Sequence, residues 1–195
     1  MEMTKNILIV GVGGQGTILA SRVLSQLLIS RGYDIKVSEI HGMSQRGGSV
    51  ITQVRFGEKV FSPIIATASA DYILAFERLE AIRALPYLRE GGHLIINDQI
   101  IDPMPVVTGV QEYPKDIDDF LKKSGIHHTL LPARGMALTA GNQKVVNMVL
   151  LGAWAKIWGL DLEEGKKVLT ANIPPKLLQV NLVGFEMGYR AAKKA

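Results

Sequence analysis

A chain of 195 residues, 47% of them apolar and 21% charged, has the balance of one folded domain with a substantial core and excludes a disordered or fibrous chain. It contains no cysteine, which excludes disulfides, thiol catalysis and an iron–sulfur cluster or structural zinc site of the usual kind. The net charge of +4 is spread along the chain, its densest basic run, "YRAAKKA", reading as a solvated helix end rather than a nucleic-acid stripe; no apolar run has the length of a membrane span or the flanks of a signal peptide, so a cytoplasmic location is expected.

Asn6 to Val10 is a short apolar run that reads as a buried strand. It leads into "GVGGQG", where Gly11, Gly13 and Gly16 stand in G-x-G-x-x-G spacing around Gly14 and Gln15. Thr17 to Ser30 carries helical apolar spacing and ends at Arg31-Gly32, and Ile35 to Ile40 reads as a second strand. This Rossmann-like βαβ unit predicts that the first two strands are parallel. Glycines let the backbone turn tightly and approach a bulky group, while the helix that follows aims N–H groups and a positive dipole end at a phosphate. Glu39, at the end of the second strand, stands where an acid would bind a ribose hydroxyl. Taken alone, the pattern leaves dinucleotide binding and a purely structural turn both open.

The next segment departs from a dinucleotide domain. "HGMSQRGG", His41 to Gly48, is a polar glycine-rich loop where an adenosine half would lie, and "SVITQVRF" alternates like a strand. Gly57-Glu58 predicts a hairpin turn returning through "KVFSPII", which makes the sheet mixed. "DYILAF" then reads as a strand, Glu77 to Leu88 as a helix, Gly91-Gly92 as a turn and "HLIIN" as a buried strand, with Pro103 and Pro105 breaking the chain after it. Asp116 to Ser124 reads as a short exposed helix, "HHTLLPA" as a last strand and Asn142 to Trp158 as a long helix. That helix is apolar almost all round, which makes it either a core helix under a second layer or a subunit interface. Leu162 to Leu169, the Pro174-Pro175 break and a helix from Lys176 close the chain. The expected architecture is one α/β domain over residues 1–195: three layers, a mixed but mostly parallel sheet, an antiparallel hairpin insert and C-terminal helices.

Other chemistries find little support. His41, His93, His127 and His128 have no metal spacing, and adjacent His127 and His128 on a strand point to opposite faces. Ser44 near His41 lacks a nucleophile elbow. Glu77 and Glu80 with Arg78 and Arg83 read as a charged helix face held by ion pairs.

The motifs "GVGGQG", "SEIHGMSQRGGSV", "FERLEAIRALPYLREGG" and "NMVLLGA", in that order between Asn6 and Ala153, resemble the gamma-type subunit family of 2-oxoacid:ferredoxin oxidoreductases, and the "HGMSQRGG" loop resembles its indolepyruvate branch. The resemblance implies a small subunit of an enzyme that oxidatively decarboxylates arylpyruvates with coenzyme A and ferredoxin, giving an aryl-acetyl-CoA and carbon dioxide. It implies a large partner subunit carrying thiamine diphosphate and the iron–sulfur clusters, no metal or catalytic residue in this chain, and no activity for the chain alone. The missing cysteines and thiamine diphosphate motif agree. Gly11, Gly13, Gly14, Gln15 and Gly16, with Ser44, Arg46, Gly47 and Gly48, are the residues expected either to help form a coenzyme A cavity against the large subunit or to shape the subunit contact. Arginine pairs bidentately with phosphate or carboxylate, which makes Arg46 the expected charge of that loop. The apolar surface of the C-terminal third is the expected partner contact. The alternatives are a gamma subunit for pyruvate or another 2-oxoacid, and a stand-alone adenylating or NAD-dependent enzyme.

Overall fold

The computed structural model describes residues 4–41 and 48–193. Its centre is a sheet in the order β2-β3-β1-β4-β5-β6, built from β1 (Lys5–Val12), β2 (Asp34–His41), β3 (Ser49–Gly57), β4 (Ala70–Ala75), β5 (Leu88–Asn97) and β6 (His127–Leu131). Strands β1, β4, β5 and β6 pair in parallel, and β3 runs antiparallel between β1 and β2. The first two strands are therefore parallel as expected, but they are not neighbours.

The central strands are buried on both faces, so alternate residues feed two cores. Ile7 and Ile9 of β1, with Leu74 and Ile95, join the core under α1 (Thr17–Ile29) and α6 (Val146–Trp158). Leu8, Val10, Ile73, Leu94 and Ile96 join the core under α2 (Arg78–Ala84) and α4 (Ile117–Lys123). A short α3 (Met104–Val107) lies between β5 and α4, α5 (Ala133–Thr139) follows β6, and α7 (Leu162–Asn172) and α8 (Pro175–Ala191) end the chain. The three-layer expectation holds, with one addition: α8 packs outside α6, so that face is two helices deep. This settles the long apolar helix as a core helix of its own chain, with Trp154 fully buried and stacked on Trp158 at 4.8 Å.

Several local expectations are corrected. The hairpin at Gly57-Glu58 does not form, because both edges of β3 are already taken by β1 and β2. Residues 58–69 cross towards β4 without a ladder, held instead by side chains: Arg55 donates to the carbonyls of Ser62 and Ile64, and Gln53 accepts from Ile65 N–H at 2.6 Å. The antiparallel insert is β2–β3, turning through "HGMSQRGG". Gly91-Gly92 lies within β5 beside a register irregularity rather than in a turn, and a side chain on Gly92 would meet the Ala70 carbonyl at 2.9 Å. The helix from Glu77 stops at Ala84 and passes through a 3-10 turn, Leu85–Tyr87, into β5. Neither α3 nor α5 was signalled by the pattern. The C-terminal third buries most of its apolar residues internally, while Ile100, Met104, Val107 and Val110 form the densest run of exposed ones.

Among the described residues no group of three or more His, Asp or Glu is placed to hold a metal ion, and no helix is long and apolar enough to cross a membrane. His93 on β5 meets the Thr129 hydroxyl at 2.9 Å, and burial, helped by the nearby His127 and His128, lowers its pKa. Below the ordinary histidine pKa of about 6.5 the unfolded chain therefore takes up a proton that the folded chain resists. Stability present above that pH is lost as pH falls. Thermal melts of His93→Gln are expected to show a weaker drop than wild type between about pH 7 and about pH 5; an unchanged drop would remove His93 as its source.

Candidate functional site

The glycine turn lies at the C-terminal end of β1, the edge where open α/β sheets place ligands. Gly14 and Gly16 take the left-handed conformation, at φ +99° and +85°, which a side chain would strain. Gly11 is required by packing: a β-carbon there would meet Gln15 Oε1 and Phe76 Cβ, both at 2.9 Å. Gly13 N–H donates to the Gly48 carbonyl at 2.9 Å, tying the turn to the start of β3. Gly11, Gly13, Gly14, Gln15, Gly16 and Gly48 are thus brought together, whereas Ser44, Arg46 and Gly47 lie outside the described residues.

Carboxamides lace the strand ends into a rigid edge. Gln15 Oε1 accepts from Val12 N–H at 2.7 Å and its Nε2 donates to the Phe76 carbonyl at 2.9 Å. Buried Asn97 donates to the same carbonyl at 3.0 Å and to Gln99 Oε1 at 2.9 Å, and its oxygen accepts from Arg134 N–H. The ends of β1, β4 and β5 and the start of α5 are fixed relative to one another by this network. Gln15 spends its polar atoms on the scaffold.

Above that edge opens a cleft of about 570 Å³ between the glycine turn, Gln99, Arg134 and the segment Gln143–Asn147. Helix α1 begins at Gly16 with no side-chain cap and no acid in its first turn, so its positive end is uncompensated. No carboxylate lines the cleft. Arg134, Lys144 and Asn147 were not singled out from the sequence; the available signal was Asn147, a polar residue inside the apolar run "VVNMVLLGAW".

A second cleft, of about 600 Å³, lies on the opposite face beside Arg78 and Tyr113, but its groups are engaged with each other. Arg78 binds Asp98 at 2.6 Å and Asp118 at 2.8 Å. Glu77 is 1% exposed and accepts from Glu80 N–H, Ile101 N–H and the Tyr113 hydroxyl. Glu80 is buried too, accepting from Ser49 and Arg83. The reading of Glu77 and Glu80 as a solvated face is corrected: residues 98–116 cover them, and only the ion-pair part holds. Burial, then donation to Glu77, raises the Tyr113 pKa and keeps it a phenol.

The dinucleotide reading loses its geometry at β3. That strand separates β1 from β2 by two inter-strand spacings, about 10 Å, so Glu39 cannot take the ribose position beside the turn. Ser21 donates to Glu39 at 3.2 Å instead.

Residues 6–191 match the family described as pyruvate ferredoxin/flavodoxin oxidoreductase. The chain belongs to that family. Within the pyruvate ferredoxin/flavodoxin oxidoreductase family it is 41% identical to the indolepyruvate oxidoreductase subunit IorB of Thermococcus kodakarensis, over 97% of this chain and 96% of that one. It is 40% identical to the subunit of the same name in Methanothermobacter thermautotrophicus, over 99% and 100%. The indolepyruvate resemblance read from "HGMSQRGG" agrees with both. In fold the chain is similar to the gamma subunit of a keto/oxoacid ferredoxin oxidoreductase from Geobacter sulfurreducens, with a TM-score of 0.71 at 23% identity over 96% of this chain and 98% of that one. It is also similar to part of a 2-oxoglutarate:ferredoxin oxidoreductase from Magnetococcus marinus, a structure described with 2-oxoglutarate, coenzyme A and succinyl-CoA bound: TM-score 0.73 at 20% identity, over 100% of this chain and 32% of that one.

Proposed function

We propose that this protein is the small subunit of a 2-oxoacid:ferredoxin oxidoreductase acting on indolepyruvate or a related arylpyruvate, with coenzyme A as acyl acceptor and ferredoxin as electron acceptor. The near full-length identity to two IorB subunits carries the reading. A chain without cysteine has no thiolates to hold iron–sulfur clusters, so thiamine diphosphate and the clusters belong to a larger partner. That the same unit makes up only 36% of a ketoisovalerate oxidoreductase subunit VorA supports work inside a larger assembly. The exposed apolar run Ile100–Val110 suits the partner contact better than the C-terminal third. The glycine turn, with Gly48 and sequence neighbours Ser44, Arg46 and Gly47, contributes a wall of the coenzyme A cavity.

Co-expression with the large subunit encoded beside it is the test. The two chains are expected to co-elute, and arylpyruvate- and coenzyme A-dependent dye reduction to appear only with both present. Separate elution, or full activity of the large subunit alone, would overturn the reading.

A further inference from the structure

We infer that the cleft at the amino end of α1 is a phosphate site, built to take the diphosphate of a nucleotide-class ligand, with Arg134 and Lys144 as its cations and Asn147 as its fixed donor.

Asn147 carries the inference. It is 1% exposed, and its Oδ1 accepts from Met148 N–H at 2.9 Å. Its Nδ2 has no hydrogen-bond partner among the described residues, although the residue lines the cleft. A β-carbon on Gly16 would stand 3.3 Å from that nitrogen, so the side chain reaches the first turn of α1. Buried amide donors are ordinarily satisfied, and one left open towards a cavity lacks an acceptor that a ligand supplies. The uncapped end of the 13-residue α1 converges on the same space and favours an anion there.

The charges agree. Arg31, Arg78, Arg83, Arg89 and Arg190 each sit on a carboxylate. Arg134 and Lys144 have no ion-pair partner among the described residues, and only their backbone N–H groups are bonded, to Asn97 and Asn142. Two free cations, an orphan donor and a helix amino end around a cleft without a carboxylate form an anion site. Its volume of about 570 Å³ exceeds what one phosphate fills, which favours a diphosphate carrying an organic group. Coenzyme A is one such ligand and a free nucleotide another; only the choice of coenzyme A rests on the function proposed above.

Isothermal titration of the full chain with inorganic pyrophosphate, ADP and coenzyme A tests the site. All three are expected to bind, more weakly as salt rises, with Arg134→Ala and Lys144→Ala each costing about tenfold in affinity and the double variant about a hundredfold. These residues are exposed and make no side-chain bonds, so the variants are expected to melt like wild type. Arg22→Ala, an exposed cation elsewhere on α1, is expected to bind like wild type. No binding by wild type, or equal binding by wild type and the double variant, would overturn the site. Pyrophosphate binding lost in the double variant, with an unchanged KM for coenzyme A in the assembled enzyme, keeps the phosphate site and assigns it to a ligand other than coenzyme A.

Discussion

Gly188→Ala and Gly152→Ala are each expected to destabilise the protein by at least about 3 kcal/mol, lowering Tm by roughly 6–12 °C in a chain of this length. A β-carbon on Gly188 would overlap the carbonyl of Val149, and one on Gly152 would overlap the carbonyl of Phe185. Gly184 is tight as well, its β-carbon position standing 3.0 Å from Val145 Cγ2. The obstacles at Gly152 and Gly188 are backbone atoms of the facing helix, which cannot swing aside as a side chain can. Relief therefore requires α6 and α8 to separate, and α6 is the helix whose other side fills the main core through Trp154, Leu150 and Leu151. Gly135→Ala is the control: it lies in α5 with nothing within 4 Å of its β-carbon position, and alanine there is expected to be neutral or to stabilise by about 0.5–1 kcal/mol. Melting curves for the three variants decide the matter. A Gly188→Ala protein melting within a degree or two of wild type would mean that the helices do not pack this closely.

The strands that could be read from local pattern are those whose apolar runs admit one interpretation. Ile7–Val10, Tyr72–Ala75 and Leu94–Ile96 are continuous and buried on both faces, so their type follows from composition alone. Strand order does not, because the placement of β3 between β1 and β2 is a pairing choice made over many residues. That one insertion removed both the hairpin expected at Gly57-Glu58 and the ribose role expected of Glu39. In the site, the backbone half was legible: Gly14 and Gly16 need positive φ whatever the ligand. The charged half was not. Arg134 and Lys144 look like any surface cations until α5 and α6 bring them to a turn more than a hundred residues earlier in the chain.

Glu77→Ala is the other substitution expected to cost most, about 3–5 kcal/mol, because it removes the side-chain cap of α2 and leaves the N–H of Ile101 and the hydroxyl of Tyr113 without their acceptor. Tyr113→Phe removes one of the three bonds from a half-buried phenol and is expected to cost about 1.5 kcal/mol, the low end for a bond to a charged acceptor. The pair also fixes a pH dependence. The Tyr113 pKa is raised in the folded chain, so its contribution is fully present below the unfolded tyrosine pKa of about 10 and is lost as pH rises above it. Burial raises Tyr72 in the same direction, so Tyr113→Phe is expected to shallow the alkaline fall in stability without abolishing it. Denaturant titrations of wild type and Tyr113→Phe at about pH 8 and about pH 11 measure the difference. Parallel losses in the two proteins would show that the phenol does not donate to Glu77, and the strap over α2 would then owe its position to apolar contacts such as Ile117 and Leu121 with Ile96 alone.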